Sequence, residues 1–173
     1  MGTSLTIWEK IVREFVTRFE ALTLTNPGGV YDATRTVQRV TRDGEGADMK
    51  VETKPLVDID TTMEPEIKYI NIEQVQVIHP LSITLIDDRV LETQDEFDKM
   101  TIAMEGDIIS TVFTDRNDDR DVSCYDLTEN LAVIVHPGLT RRFATKLYGG
   151  SVAAQGIFRV QYRTKINDPT VIV

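Results

Sequence analysis

The sequence predicts an α+β domain, a mainly antiparallel sheet with two helices packed on one face, with residues 1–173 forming a single domain. Three features predict it. Two stretches open with a Thr-x-x-Glu signal and then repeat apolar residues at three- and four-residue steps, the mark of a capped amphipathic helix. Several shorter stretches alternate apolar and polar residues, the period of a half-buried strand. The order is helix, several strands, helix, then strands, with short connections, which is the α+β arrangement and not one strand per helix.

The first helix starts at Thr6-Ile7-Trp8-Glu9, where Thr6 accepts from the Glu9 backbone and Glu9 reaches back. Ile7, Ile11, Phe15, Phe19 and Leu22 form its apolar stripe, widened by Trp8, Val12 and Val16, and Lys10, Arg13, Glu14 and Arg18 fill the other side. Asn26-Pro27-Gly28-Gly29 ends it, because proline removes a donor and glycine permits left-handed backbone. Thr34–Arg42 reads as a strand carrying Val37 and Val40, closed by a turn at Asp43-Gly44-Glu45-Gly46. Residues 43–66 form an extended arm or loop, with Val51–Ile59 as a strand or arm and Asp60–Pro65 as a loop between two prolines.

Tyr69–Ile78 reads as a second strand, with an edge bulge where the alternation of Ile70, Ile72, Val75 and Val77 slips phase. His79-Pro80 breaks it, and Leu81–Ile86 resumes. Thr93-Gln94-Asp95-Glu96 repeats the capping signal, followed by Phe97, Met100, Met104, Ile108 and Val112 at helical spacing, with Gly106 as a weak point. Residues 115–126 form an acidic loop. Leu131–Val135 is a buried strand closed by His136-Pro137-Gly138, and Arg141–Tyr148 is a helical turn or a basic loop before Gly149-Gly150. The last strand, Val152–Ile166, closes the sheet. Its run from Gly156 to Lys165 alternates to give one apolar and one cationic face, and it stops at Asn167-Asp168-Pro169.

Composition bounds the function. Hydrophobic residues make up 41% and charged residues 27%, the range of an ordinary globular chain and not of a disordered or membrane-spanning one. The net charge of -9 is unevenly placed: Asp87–Glu129 holds 14 acidic and 4 basic residues, whereas Leu131–Val173 holds 6 basic and 1 acidic. Such polarity favours contact between unlike patches of neighbouring copies, and an acidic chain repels nucleic acid except at a local basic surface. Cys124 is the only cysteine, which rules out an intrachain disulfide and a cysteine-rich zinc site. No apolar run is long enough to cross a bilayer, and the first residues lack the pattern of a secretory leader, so a chain made in a reducing cytoplasm is expected.

Candidate chemistry is sparse. Asp115, Asn117 and Asp119 occupy the first three ligand positions of a calcium loop, but Arg120 stands where the sharp turn needs glycine and Asp126 replaces the bidentate Glu. His79 and His136 each precede a proline, the context of a strand end, with no ligand spacing joining them. No phosphate loop, dinucleotide fingerprint, serine elbow or HExxH motif is present. No enzyme activity, metal or cofactor is expected. What remains is the cationic set Arg141, Arg142, Lys146, Arg159, Arg163 and Lys165, with only Phe143, Tyr148 and Tyr162 as stacking partners for bases. A salt-bridged protein interface suits it better than nucleic acid, because the acidic counterpart lies on the same polypeptide.

The helix from Thr6 to Leu24, the variable strand region, the second helix from Gln94 to Phe113 and the final Phe158-Arg159-Val160-Gln161-Tyr162-Arg163 strand before Asn167-Asp168-Pro169 carry a resemblance. In this order of elements, and by motif over the last twenty or so residues, the chain resembles the tail terminator proteins of long-tailed bacteriophages, the group of the lambda minor tail protein U. The resemblance implies a virion protein, assembled in the host cytoplasm, that forms a six-membered ring on the finished tail tube. It implies the tail tube protein and the head-closure or connector protein as partners, with DNA passing through the channel without specific binding and with no membrane involved. Residues 115–150 have no counterpart in that pattern. Another neck or tail ring, a head-closure or tube protein, is the alternative within the class. A small metal-dependent enzyme or binding module built on the acidic loop with His79 or His136 is the alternative from a different one.

Overall fold

The computed structural model describes residues 5–21, 36–40, 56–87, 91–113, 124–127, 131–145 and 151–172. The fold is α+β: among the described residues, a mostly antiparallel, curled sheet of nine strands with two helices, α1 (Ile7–Ala21) and α2 (Gln94–Val112). No helix among the described residues is long and apolar enough to cross a membrane. Both predicted helix starts are in place. The Glu9 N–H donates to Thr6 Oγ1 at 3.2 Å. At α2 the box is complete, with the Glu96 N–H donating to Thr93 Oγ1 at 3.2 Å and the Thr93 N–H donating to Glu96 Oε2 at 3.1 Å. The Glu92 and Thr93 N–H groups hold the Glu96 carboxyl below its ordinary range.

Two long strands form the spine. β4 (Gln74–Asp87) and β8 (Ser151–Lys165) run antiparallel along their whole length, from Gln74 opposite Lys165 to Asp87 opposite Val152. Short strands flank them end to end. Along the other edge of β4 lie β2 (Leu56–Asp60) and then β3 (Glu66–Tyr69), and along the other edge of β8 lie β7 (Thr140–Thr145), β6 (Leu131–His136) and β9 (Asp168–Ile172). β5 (Cys124–Leu127) adds to β6, and β1 (Thr36–Val40) adds to β2 as the one parallel pair among the described strands. Residues 41–55, which join β1 to β2, have the length a parallel connection demands and lie outside the described residues.

Both flanking lines break at the same height. Between β2 and β3, residues 61–65 pass the stretch 79–81 of β4, and between β6 and β7, residues 137–139 pass Ile157 and Phe158 of β8. The second break is a bulge with one extra residue on the outer line. Gly138 is required there, since a Cβ at this position would fall 1.8 Å from the Ile157 carbonyl oxygen, whose own residue donates its N–H to Leu139 O at 2.9 Å. The first break explains a misreading of the sequence. His79-Pro80 does not interrupt β4, because Pro80 falls in the interval where neither β2 nor β3 pairs, and a residue without an N–H is tolerated at such a gap.

Four other expectations are corrected. The strand expected over Tyr69–Ile78 is a hairpin: Asn71 Oδ1 accepts from the Glu73 and Gln74 N–H groups at 2.8 and 2.9 Å, so the slip in alternation marks a turn and not a bulge. The expected helical turn or basic loop at Arg141–Tyr148 is strand β7 as far as Thr145, its backbone drawn into the ladder by β8. Asn167-Asp168-Pro169 does not end the sheet. The chain turns at Ile166-Asn167 and returns as β9, with Pro169 on an edge strand, where its missing donor is tolerated. Within 43–66, the strand alternative read for Val51–Ile59 holds over part of its length, since Leu56–Asp60 is a paired strand between β1 and β4. The acidic loop ends early, since β5 starts at Cys124. Residues 114–123, like the turns at 26–29 and 43–46, lie outside the described residues.

The core follows the alternation. Ile7, Ile11, Phe15 and Phe19 of α1 and Met100, Met104, Ile108 and Val112 of α2 are buried with Val57, Ile59, Leu81, Ile83, Leu85, Phe158 and Val160. Gly156 sets how closely α2 lies on β8, because a Cβ there would come 2.9 Å from Ile108 Cγ2 and 2.7 Å from the Phe158 ring. Phe113, at the end of α2, meets Phe158 edge to face at 6.0 Å. Trp8 stacks on His79 at 3.9 Å, and His79 on Tyr162 at 5.9 Å. Burial in this stack pushes the His79 ring down to about 4 and the Tyr162 hydroxyl up to about 12.

Candidate assembly interface

Side chains of β8 point alternately to two sides of the sheet. On the side that α2 covers, Gly156, Phe158, Val160, Tyr162 and Thr164 are all buried, whereas Arg159, Arg163 and Lys165 on the far side are exposed. The predicted apolar and cationic faces of this strand are therefore as the alternation reads. The register extends the far side across neighbouring strands. Arg159 lies between Pro80 and His136, Arg163 opposite Gln76, and Lys165 opposite Gln74. Toward the other end, Ser82, Thr84, Ile86 and Ala153 share the far side but are buried. The accessible cationic part of β8 itself is thus the half nearest Lys165.

Of the six basic residues singled out in the sequence, four share the far side. Arg141 pairs with Gln155 in β8 and joins Arg159, Arg163 and Lys165 there. Arg142, one residue on, turns to the α2 side, where its Nε lies 3.7 Å from Glu105 Oε2, and Thr140 Oγ1 donates to the other oxygen of the same carboxylate. Lys146 lies outside the described residues. Arg159 is already engaged, with Nη2 donating to Glu66 Oε2 at 3.0 Å, while Lys68 Nζ lies 3.0 Å from Glu66 Oε1. Lys68 first, and Arg159 after it, hold the Glu66 carboxyl below its ordinary range. Among the described residues no ion pair joins Arg141, Arg163 or Lys165. His136 and Gln161 share a hydrogen bond of 3.1 Å, and Gln155 Nε2 donates to Ser82 Oγ at 2.8 Å. These bonds fix the polar side chains around the arginines.

Sequence reasoning missed an apolar cluster at one end of the sheet. The β3–β4 turn and the β8–β9 turn lie side by side, joined by the Ile166 N–H donating to Glu73 O at 2.9 Å. Tyr69 (79% exposed), Ile70, Ile72 (92% exposed) and Ile166 project there. Among the described residues β3 pairs with β4 alone, and all four of its residues are exposed. The signal was present as the Ile-Asn-Ile-Glu phase slip, which a turn at Asn71 explains.

The two histidines are not brought together. His79 is opposite Val160 and faces the α2 side, whereas His136 is opposite Arg159 and faces away, so the sheet separates the two imidazoles. Among the described residues no three His, Cys, Asp or Glu side chains gather where they could hold a metal ion. What the far side offers is a cationic surface beside β3 and β9, each paired on one side only among the described residues, suited to binding a complementary protein surface. Comparison of the sequence with protein-family models finds no match, and comparison with curated proteins finds no significant one.

Proposed function

We propose that this chain is a structural virion protein that works by assembling with copies of itself into a ring at the head-tail junction, capping the tail tube and joining it to the head. In this reading both helices lie on the α2 side of the sheet, and the far side is kept for subunit contacts. The observation that carries it is the split of β8 into a buried face and a cationic face whose Arg163 and Lys165 make no ion pair among the described residues, Lys165 lying opposite Asp168 in β9. A heterologous contact repeated around an axis closes a ring, and opposite charges on its two surfaces set the register. The exposed apolar turns at Tyr69, Ile72 and Ile166 support a protein that meets further proteins, since such clusters mark contact surfaces. The tail tube and head-closure proteins are the neighbours this reading assigns. A net negative chain suits a channel that DNA crosses without being gripped.

The test is particle mass and shape. Wild-type protein should sediment as a closed multimer and appear as rings with a central hole in negative stain. Charge reversal at Arg159 and Arg163 should shift it toward monomers at moderate salt, with Arg163 having the larger effect because Glu66 already neutralises Arg159. Unchanged assembly removes these residues from the contact, and a monomeric wild type removes the function.

A further inference from the structure

One helix surface answers the cationic face in charge, length and exposure. α2 carries the carboxylates Asp95, Glu96, Asp98, Glu105 and Asp107 against the single cation Lys99. Its outward line, at i, i+4 and i+7, is Ile102 (56% exposed), Gly106 and Ile109 (41% exposed). This is an apolar stripe left in water on a helix whose other stripe fills the core. Gly106 in its middle has nothing within 4 Å of where a Cβ would stand, so a partner can approach the helix backbone closely there. With 19 residues, α2 is about 28 Å long. The far side of β8 from Ile157 to Lys165 spans about 27 Å, and it presents Arg159, Arg163 and Lys165, with Glu66 bound to Arg159, Asp168 opposite Lys165 and Asp60 across Ser82 from Ile157 as acidic neighbours.

We infer that the outward face of α2 in one copy docks on the cationic far side of β8 in the next copy, with Ile102 and Ile109 seated at the centre and the α2 carboxylates facing Arg163 and Lys165. This rests on the ring proposed above and names the surface that its cationic face meets. The two surfaces lie on opposite sides of the subunit, as a head-to-tail contact needs. A helix on the second face of a sheet is also the ordinary way to cover it, supplied here by a neighbour instead of by the chain itself.

Charge complementation tests it in sedimentation velocity. One variant is Ile102→Lys with Ile109→Lys, and the other is Arg163→Glu with Lys165→Glu; all four positions are exposed, and circular dichroism checks that each variant is folded. Each alone should be monomeric at concentrations where the wild type is assembled. An equal mixture should reassemble, because one of its two contacts is native and the other sets the two new lysines of α2 against the two new glutamates of β8. Gly106→Leu is a second variant, at an exposed position where a Cβ meets nothing within 4 Å. It should raise the melting temperature yet weaken assembly roughly tenfold or more. Variants that still assemble, or a mixture that stays monomeric, overturn the docking while leaving the ring intact. A monomeric wild type overturns the ring itself, and the docking with it.

Discussion

The two sides of β8 make opposite uses of neighbouring residues. On the α2 side every residue from Gly156 to Thr164 is buried, and two glycines stand where a methyl group would collide, Gly156 on this side and Gly138 at the bulge. On the far side the arginines and lysine are exposed, and the single close partner of Arg159 is a half-exposed carboxylate. Exposed ion pairs of this kind contribute little to folding. The α2 side therefore holds the domain together, and the far side is left with charge that folding does not require. In the ring proposed above, that spare charge is what the next copy touches.

Substitutions should separate the two sides cleanly, starting with the largest effect on stability. Phe158→Ala removes a ring that fills the space left by Gly156 between Ile108 and Phe113. Urea unfolding should show a loss of about 3–5 kcal/mol. A smaller loss would mean that α2 settles into the gap. Next is acidification through His79. Its neutral ring is buried between Trp8 and Tyr162, its Nδ1 has no hydrogen-bond partner, and its protonation is pushed down to about 4. Because the folded value lies below the ordinary 6.5, the unfolded chain binds the extra proton first. Stability is complete above about pH 6.5 and falls as the pH drops toward 4, by about 1–2 kcal/mol after discounting for partial exposure. His79→Phe should flatten this slope relative to wild type in melting curves between pH 7 and 5, and an unchanged slope would place its origin elsewhere.

Thr93→Ala should cost about 1 kcal/mol in the same unfolding measurement, since it removes the acceptor for the Glu96 N–H at the start of α2. Last comes the far side. Arg163→Glu should change folding stability by no more than about 0.5 kcal/mol while weakening self-association. If it unfolds the protein instead, the claim that the far side is spare is wrong.

Much of this contrast was legible in the residues. The helix starts were, because Thr6 with Glu9 and Thr93 with Glu96 are local signals decided within one turn. The two faces of β8 were, because a period of two survives any choice of neighbour. Turns and strand limits were less so, since they depend on which strand lies alongside. Pro80 breaks no strand because neither β2 nor β3 pairs with it at that height, and Arg141–Thr145 is a strand because β8 is long enough to pair with it. The basic set was legible as a list but not as a surface. Only the register reveals that Arg141 and Arg142 part company across the sheet and that Glu66, nearly a hundred residues away in sequence, occupies Arg159. The apolar cluster at Tyr69, Ile72 and Ile166 joins two turns far apart in the chain, so no sequence window contains it.

Sedimentation velocity of the wild-type protein at moderate salt, set beside Arg163→Glu with Lys165→Glu, tests most directly whether the chain works by contact with its own copies. The expected result is a single closed multimer for the wild type and a folded monomer for the variant. A wild type that sediments as a monomer across the concentration range, indistinguishable from the variant, would contradict it.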